Sequence, residues 1–155
     1  MVKMKKLVIV DRGASNIGKS AAIKSVYYLL MSKGYEIVHK QWQQNEDEDI
    51  RVIFNIEGFR VGIESLGDPD VREIMEKTID DFVDAGCSII VTACRPDGNT
   101  YNKVIKDLEE KGYEIIWYAH YVYQVSGMDA VRERLNFEYA QHVVKLIEER
   151  IAGKI

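Results

Sequence analysis

The sequence predicts an α/β fold with a mostly parallel sheet that helices cover on both faces. Short apolar runs, of strand length, alternate along the chain with longer stretches in which apolar residues recur at helical spacing. A glycine-rich segment over 13–18 joins the first apolar run to the first helical stretch. Two alternating runs, over 51–57 and 59–63, are separated by Gly58 and predict a hairpin. We therefore expect one antiparallel strand in an otherwise parallel sheet.

Length and composition favour a single domain over residues 1–155. The formal net charge of −4 leaves no basic excess to neutralise a nucleic-acid backbone, so nucleic acid is not expected as the main partner. No apolar run approaches the length of a membrane span and no secretory signal is evident, so we expect a cytoplasmic protein. Cys87 and Cys94 have no nearby cysteine or histidine and are interpreted as ordinary thiols.

The first half of the chain begins with a strand over the apolar run 7–10, which the polar residue Asp11 ends. A helix follows over 19–34, where apolar residues recur at helical spacing and a glycine suits the C-terminal end. A second strand is predicted over 35–42. The segment 43–49 is polar and acidic and cannot bury a face, so we interpret it as a solvated loop.

The second half contains the hairpin, followed by a helix whose start is marked by Asp68 as N-cap and Pro69 in the first turn. Its apolar stripe ends at Gly86. The remaining strands are predicted over 88–93 and 113–118, and the remaining helices over 99–112 and 131–151. Strands and helices thus alternate to the end of the chain.

The segment between the first strand and the first helix has the pattern GxxxxGKS, as GASNIGKS. Binding a phosphate chain requires closely approaching backbone N–H groups, a cation and a helix N-terminus, and this spacing supplies all three. The predicted binding residues are Gly13, Ala14, Ser15, Asn16, Ile17, Gly18, Lys19 and Ser20. Lys19 is expected to bridge the β- and γ-phosphate oxygens, and the Ser20 hydroxyl to ligate Mg²⁺.

Two further metal candidates, Glu64 and Asp68, follow the hairpin in the sequence VGIESLGD. A carboxylate at the end of a neighbouring strand commonly holds Mg²⁺ in phosphoryl chemistry. Asp68 also suits a purely structural N-cap. Glu64 is expected on the sheet face opposite Val61 and Ile63, at the C-terminal end of its strand, where ligands collect in α/β sheets. The alternative for Glu64 is an ordinary exposed strand residue.

Arg95 is the best candidate for a catalytic arginine. It follows the strand before it in the sequence TACRPDG, where it could reach the γ-phosphate and stabilise the charge of the transition state. The alternative is a surface loop arginine. An aromatic cluster after the last strand could stack on a purine, although packing is the commoner role of such residues. This cluster comprises Tyr118, His120, Tyr121 and Tyr123.

The ordered set GASNIGKS, ESLGD and IIVTACRPDGNT, with a terminal helix near Asn136, resembles small uncharacterised bacterial P-loop NTPases over most of the chain. Only the first motif is specific. The resemblance implies a P-loop NTPase-like fold that binds a nucleoside triphosphate with Mg²⁺ and hydrolyses it.

We expect an Mg²⁺-dependent protein that binds ATP and hydrolyses it slowly, with Lys19, Glu64 and Arg95 in catalytic roles. A small-molecule or nucleotide kinase is the first alternative, but no arginine-rich lid insertion is evident. A GTP switch is the second alternative and is based on the sequence Glu64-x-x-Gly67, but no NKxD motif follows it. A nucleotide sensor without catalysis is the third.

Overall fold

The computed structural model describes residues 4–12, 19–42, 50–65, 72–94, 99–119 and 129–155. Strands and helices alternate through these ranges, except that three strands follow one another between the first two helices, where the sequence predicts a strand and a hairpin. The strands are β1 Leu7–Arg12, β2 Glu36–Trp42, β3 Ile50–Ile56, β4 Phe59–Glu64, β5 Cys87–Cys94 and β6 Glu114–Ala119. The helices are α1 Lys19–Ser32, α2 Arg72–Asp84, α3 Asn99–Glu110 and α4 Asp129–Ile151.

The described strands form one sheet in the order β2-β3-β4-β5-β1-β6. β1 pairs in parallel with β5 and β6, and β4 pairs in parallel with β5. β3 is antiparallel to both of its neighbours, β2 and β4. The turn between β3 and β4 places Glu57 at a φ of 52° and Gly58 at 87°, as in a tight two-residue hairpin turn. The mostly parallel sheet with one antiparallel strand is therefore confirmed.

Helices cover both faces of the sheet, as the alternating side chains of β1 show. Leu7 and Ile9 are buried in one apolar cluster with α1 and α4, which defines the α1/α4 face. Val8 and Val10 are buried in a second cluster with α2 and α3, which defines the α2/α3 face. A strand can supply both clusters because successive side chains point to opposite faces. Within the described ranges, no helix has the length and apolar character needed to cross a membrane.

The parallel strands all end at one edge of the sheet, which we call the carboxyl edge, and the helices that follow them run back toward the opposite, amino edge. The contacts of α4 show this direction. Its residue Tyr139 packs against Tyr118 near the end of β6. Eleven residues later, Arg150 donates from Nη1 to Glu114 Oε1 at the start of β6, over 3.0 Å. Helix N-termini therefore lie at the carboxyl edge, where α/β proteins bind ligands.

β1 is longer than the sequence predicts, and the expectation that Asp11 ends the strand was wrong. The strand continues to Arg12 because it is paired on both sides. Asp11 is in register with Ala93 of β5 and with Tyr118 of β6. Backbone pairing with two neighbours outweighs the unfavourable strand propensity of a single aspartate.

Gly62 in β4 sets how closely α2 approaches the sheet. A Cβ atom at this position would lie 2.7 Å from ring atoms of Phe82 in α2, closer than two side chains can pack. The absence of a side chain therefore lets the ring of Phe82 rest directly on the strand. The contact fixes α2 over the strand that ends at Glu64. The predicted N-cap Asp68 and Pro69 lie outside the described residues.

Candidate functional site

The GxxxxGKS sequence connects β1, an interior strand of the sheet, to α1 at the carboxyl edge. β1 ends at Arg12, and α1 begins at Lys19. Residues 13–18 lie outside the described residues, whereas the backbone of Lys19 and Ser20 forms the first turn of α1. A buried parallel strand before the motif and a helix after it are the context that a phosphate-binding loop requires.

Glu64, the last residue of β4, is fully buried at this edge. It alternates with Val61 and Ile63, which belong to the α1/α4 cluster, and so lies on the α2/α3 face as the sequence predicts. Thr92 of the neighbouring strand β5 is also fully buried and donates a hydrogen bond from Oγ1 to Glu64 Oε1. The alternative of an ordinary exposed glutamate was wrong.

A cation lies directly across the ladder from this carboxylate. Arg51 of β3 is the register partner of Glu64, which places both side chains on the same face. The Arg51 guanidinium donates from Nη1 to Thr78 Oγ1 of α2 over 3.0 Å and lies 3.8 Å from Asp81 Oδ2. A buried carboxylate needs hydrogen-bond donors and opposite charge nearby. Thr92 supplies the donor, and the register places the positively charged Arg51, which bonds to α2, on the same face of the sheet.

The backbone beyond Glu64 is fixed by Ser65. The Ser65 N–H donates to the carbonyl of Ile50 over 3.1 Å, and the Ile50 N–H donates to Ser65 Oγ over 2.9 Å. These two bonds extend the pairing of β3 and β4 by one residue. Glu64 is therefore held on a rigid element and not on a loose strand end.

Asp11 is a second buried carboxylate at the carboxyl edge, and the sequence reasoning missed it. It is fully buried and lies on the α1/α4 face, opposite to Glu64. Tyr139 of α4 lies near enough for the charge of Asp11 to act on it, since burial and then that charge raise the pKa of Tyr139 well above its ordinary value. The signal was present in the sequence as a charged residue between an apolar strand and a glycine-rich loop.

The chemistry of these groups fits Mg²⁺ more closely than a softer metal. The Glu64 carboxylate and the hydroxyl that Ser20 carries are hard oxygen ligands, and Mg²⁺ is usually held by one or two carboxylates together with substrate phosphates. The described ranges contain no group of three or more histidine, cysteine, aspartate or glutamate residues arranged to hold a metal ion. The third metal candidate, Asp68, lies outside these ranges.

The other candidate residues have simpler roles or lie outside the described ranges. Arg95, His120, Tyr121 and Tyr123 are outside them. Tyr118 packs edge-on against Tyr139, with ring centroids 4.9 Å apart, so its ring has a packing role. Cys87 is buried, and burial raises its thiol pKa to about 12, which makes it unreactive at neutral pH.

Comparison of the chain with models of protein families, with curated proteins and with solved structures finds no match. The candidate site therefore rests on its own geometry and chemistry.

Proposed function

We propose that this protein binds a nucleoside triphosphate together with Mg²⁺ at the carboxyl edge and hydrolyses it slowly, with ATP as the expected nucleotide. The observation that carries the proposal is the GxxxxGKS sequence between the end of β1 and the start of α1. In this arrangement the backbone N–H groups of residues 13–20 bind the phosphates. Lys19 neutralises the β- and γ-phosphates, and Ser20 provides a metal ligand.

The direction of the helices supports an anionic ligand at this edge. α1 begins there with Lys19, and the N-terminus of a helix carries a partial positive charge and free N–H groups. The sequence of this first turn contains one lysine, Lys19, and no acidic residue. A triphosphate satisfies these donors without an overall basic protein, in agreement with the net charge of −4.

Glu64 is the proposed acidic residue of the reaction. Its Oε1 accepts a hydrogen bond from the Thr92 hydroxyl, which fixes the position of the carboxylate. Bound Mg²⁺ would supply positive charge across the β- and γ-phosphates, held by Ser20 and Glu64. In the hydrolysis step the oxygen of water bonds to the γ-phosphorus and the bond from that phosphorus to the bridging oxygen breaks. The nucleoside diphosphate and inorganic phosphate are released, and the proton of the water passes to a phosphate oxygen or to solvent. Arg95 is proposed to stabilise the charge on the transferred group.

Isothermal titration calorimetry with Mg·ATP and with Mg·GTP tests the binding proposal. Wild type is expected to bind, and Lys19→Ala is expected to abolish binding because the charge on the β- and γ-phosphates is no longer neutralised. Lys33→Ala is the matched control, since Lys33 pairs with Glu148 over 2.9 Å at the amino edge. Affinity that Lys19→Ala leaves unchanged would refute the assignment. The ratio of the two affinities also tests the GTP-switch alternative.

Phosphate release from Mg·ATP then separates a hydrolase from a nucleotide sensor. Slow turnover by wild type supports the proposal, whereas tight binding without turnover supports the sensor. Adding candidate hydroxyl acceptors to the same assay tests the kinase alternative, because transfer would produce a phosphorylated acceptor and no free phosphate.

A further inference from the structure

The two outermost strands of the sheet, β2 and β6, differ in what they offer a further strand. Within the described ranges β2 pairs only with β3, and β6 pairs only with β1, so each has an outer side. The outer side of such a strand can pair with a strand of another molecule unless the sequence or the geometry prevents it. We therefore compared the two strands for features that prevent pairing.

β2 has features that oppose further pairing. Its register with β3 shifts between Ile37 and His39, and an irregularity of this kind bends a strand away from a flat partner. The sequence of β2 also includes the charged residues Glu36 and Lys40. Charged residues on an outermost strand commonly protect it against pairing with other molecules.

β6 lacks these features. It pairs with β1 over its whole length without a shift of register. Residues 115–119 have the sequence IIWYA, which contains no charged residue, glycine or proline. Glu114, the charged residue at the start of the strand, is already paired with Arg150 over 3.0 Å and with Lys5 over 3.4 Å. Trp117 is 45% exposed, although burying an aromatic side chain is favourable.

The pairing of β6 with β1 determines which backbone groups of β6 lie on its outer side. The Glu114 N–H donates to the carbonyl of Lys6 over 2.9 Å, so the backbone groups of Glu114 point toward β1. Successive residues of a strand direct these groups to opposite sides, so those of Ile115, Trp117 and Ala119 point away from β1. We call the N–H groups of these residues the outward amides.

We propose that β6 pairs antiparallel with β6 of a second copy of this chain, so that the two sheets join across a twofold axis at Trp117. This register pairs every outward residue, because Trp117 lies opposite Trp117 of the second copy and Ile115 lies opposite Ala119 of the second copy. The outward groups are arranged symmetrically about Trp117, so the strand and its own copy satisfy each other, which favours a second copy over an unrelated strand.

Side chains and charge agree with this pairing. Trp117 is in register with Val10, which belongs to the α2/α3 cluster, so the two Trp117 side chains meet on the α2/α3 face. Aromatic side chains directly across an antiparallel ladder stabilise each other. Since residues 115–119 are uncharged, the register brings no like charges of these segments together.

The size of the contact sets its expected strength. β6 is six residues long. One pair of strands of this length is a small contact compared with the roughly 1,600 Å² of a standard interface, so we expect a dimer that dissociates at micromolar concentrations. The pairing uses no residue of the proposed nucleotide site, so the two proposals can fail separately.

Sedimentation velocity over a range of protein concentrations tests the dimer. Wild type is expected to change from monomer to dimer as the concentration rises. Trp117→Lys places two lysines opposite each other at the axis and removes the aromatic pair, so the dissociation constant should rise by about tenfold or more. Val38→Lys is the matched control and should dimerise as wild type does, because Val38 lies on β2 and is 44% exposed. Circular dichroism establishes that both variants fold.

Hydrogen exchange of wild type, resolved by residue with NMR, provides a second readout that needs no variant. The outward amides should exchange slowly only at high protein concentration, whereas the amides of Ile116 and Tyr118, which point toward β1, should exchange slowly at every concentration.

Four results would overturn the proposal. Wild type that stays monomeric at every concentration has no such dimer, and a dimer that Val38→Lys disrupts but Trp117→Lys does not forms through β2. Slow exchange of the outward amides in the monomer would mean that the chain covers its own β6. Fast exchange of these amides in the dimer would mean that the two copies meet elsewhere.

Discussion

The two edges of the sheet differ in how far their carboxylates are buried. At the amino edge, carboxylates are paired near the surface: Glu114 accepts from Arg150 over 3.0 Å, and Glu148 accepts from Lys33 over 2.9 Å. At the carboxyl edge, Asp11 and Glu64 are fully buried. Surface pairs add little stability, but buried carboxylates carry a large desolvation cost that partners only partly offset. The carboxylates of the amino edge are therefore inexpensive to hold, whereas those of the carboxyl edge are costly, and the proposed nucleotide site would account for that cost.

The amino edge nevertheless has a cavity of its own. Its volume is about 300 Å³, and Tyr35, Glu57 and Glu148 line part of it. The polar groups there already bond to each other, since the Tyr35 hydroxyl donates to Glu148 Oε2 over 2.5 Å. A cavity by itself does not mark a functional site, and the comparison of the edges depends on which side chains are buried.

The largest expected difference between the edges is in catalysis. Glu64→Gln removes a buried charge at the carboxyl edge, and we expect hydrolysis of Mg·ATP to fall by about 100-fold or more, as happens when a group that acts in the transition state is lost. Glu148→Gln is the same substitution at the amino edge and should leave turnover unchanged. Phosphate release measured for both variants checks the expectation.

The reverse result, full turnover in Glu64→Gln, would remove the catalytic role of Glu64 and leave its burial as a structural feature. Equal losses in both variants would show that the two edges do not differ. Circular dichroism of each variant establishes that the loss of turnover is not a loss of fold.

A smaller effect is expected on the free energy of unfolding, when the hydrogen bond to Glu64 at the carboxyl edge is removed. Thr92→Val keeps the shape of the side chain but removes the donor to Glu64 Oε1, so the free energy of unfolding should fall by about 1–3 kcal/mol. Thr78→Val is the control, because it removes an acceptor of Arg51, whose side chain is 18% exposed and can bond to water instead. Urea denaturation should show the larger loss for Thr92→Val. An equal or smaller loss would mean that the Glu64 carboxylate does not depend on Thr92.

The sequence predicts most of the fold, because alternation of apolar runs and helical periodicity depends on local spacing. It predicts the face of Glu64 for the same reason. It could not predict the burial of Glu64, because that depends on which strands pair with β4. Thr92 belongs to β5 and Arg51 to β3, and local sequence patterns do not determine which strands become neighbours. Asp11 was missed because its burial requires two neighbouring strands and α4. The phosphate loop and Arg95 stay predictions.

The smallest effect is expected at the amino edge, at alkaline pH. The hydrogen bond to Glu148, followed by burial, raises the pKa of Tyr35 from its ordinary value of 10.0 to about 12. Below pH 10 the contribution of Tyr35 to stability is complete. As the pH rises from 10 toward 12 the unfolded chain loses this proton first, so stability falls.

Tyr35→Phe should therefore have a slightly shallower decline of the urea midpoint between about pH 10 and pH 12 than wild type. Some decline should remain, because burial also raises the pKa of Tyr113 to about 12. A decline as steep as that of wild type would show that Tyr35 has no share in the alkaline loss of stability.

The order of the strands has a consequence for how the chain folds. β2, β3 and β4 are consecutive in sequence and pair as neighbours, so this part of the sheet needs only short loop closures. β1 instead pairs with β5 and β6, with Leu7 in register with Ile89 and with Glu114. Contacts between such distant residues have a larger cost of loop closure and slow folding. β1 also precedes both of its partners in the chain, so during synthesis the strand that leads into the phosphate loop stays unpaired until β5 and β6 have been made.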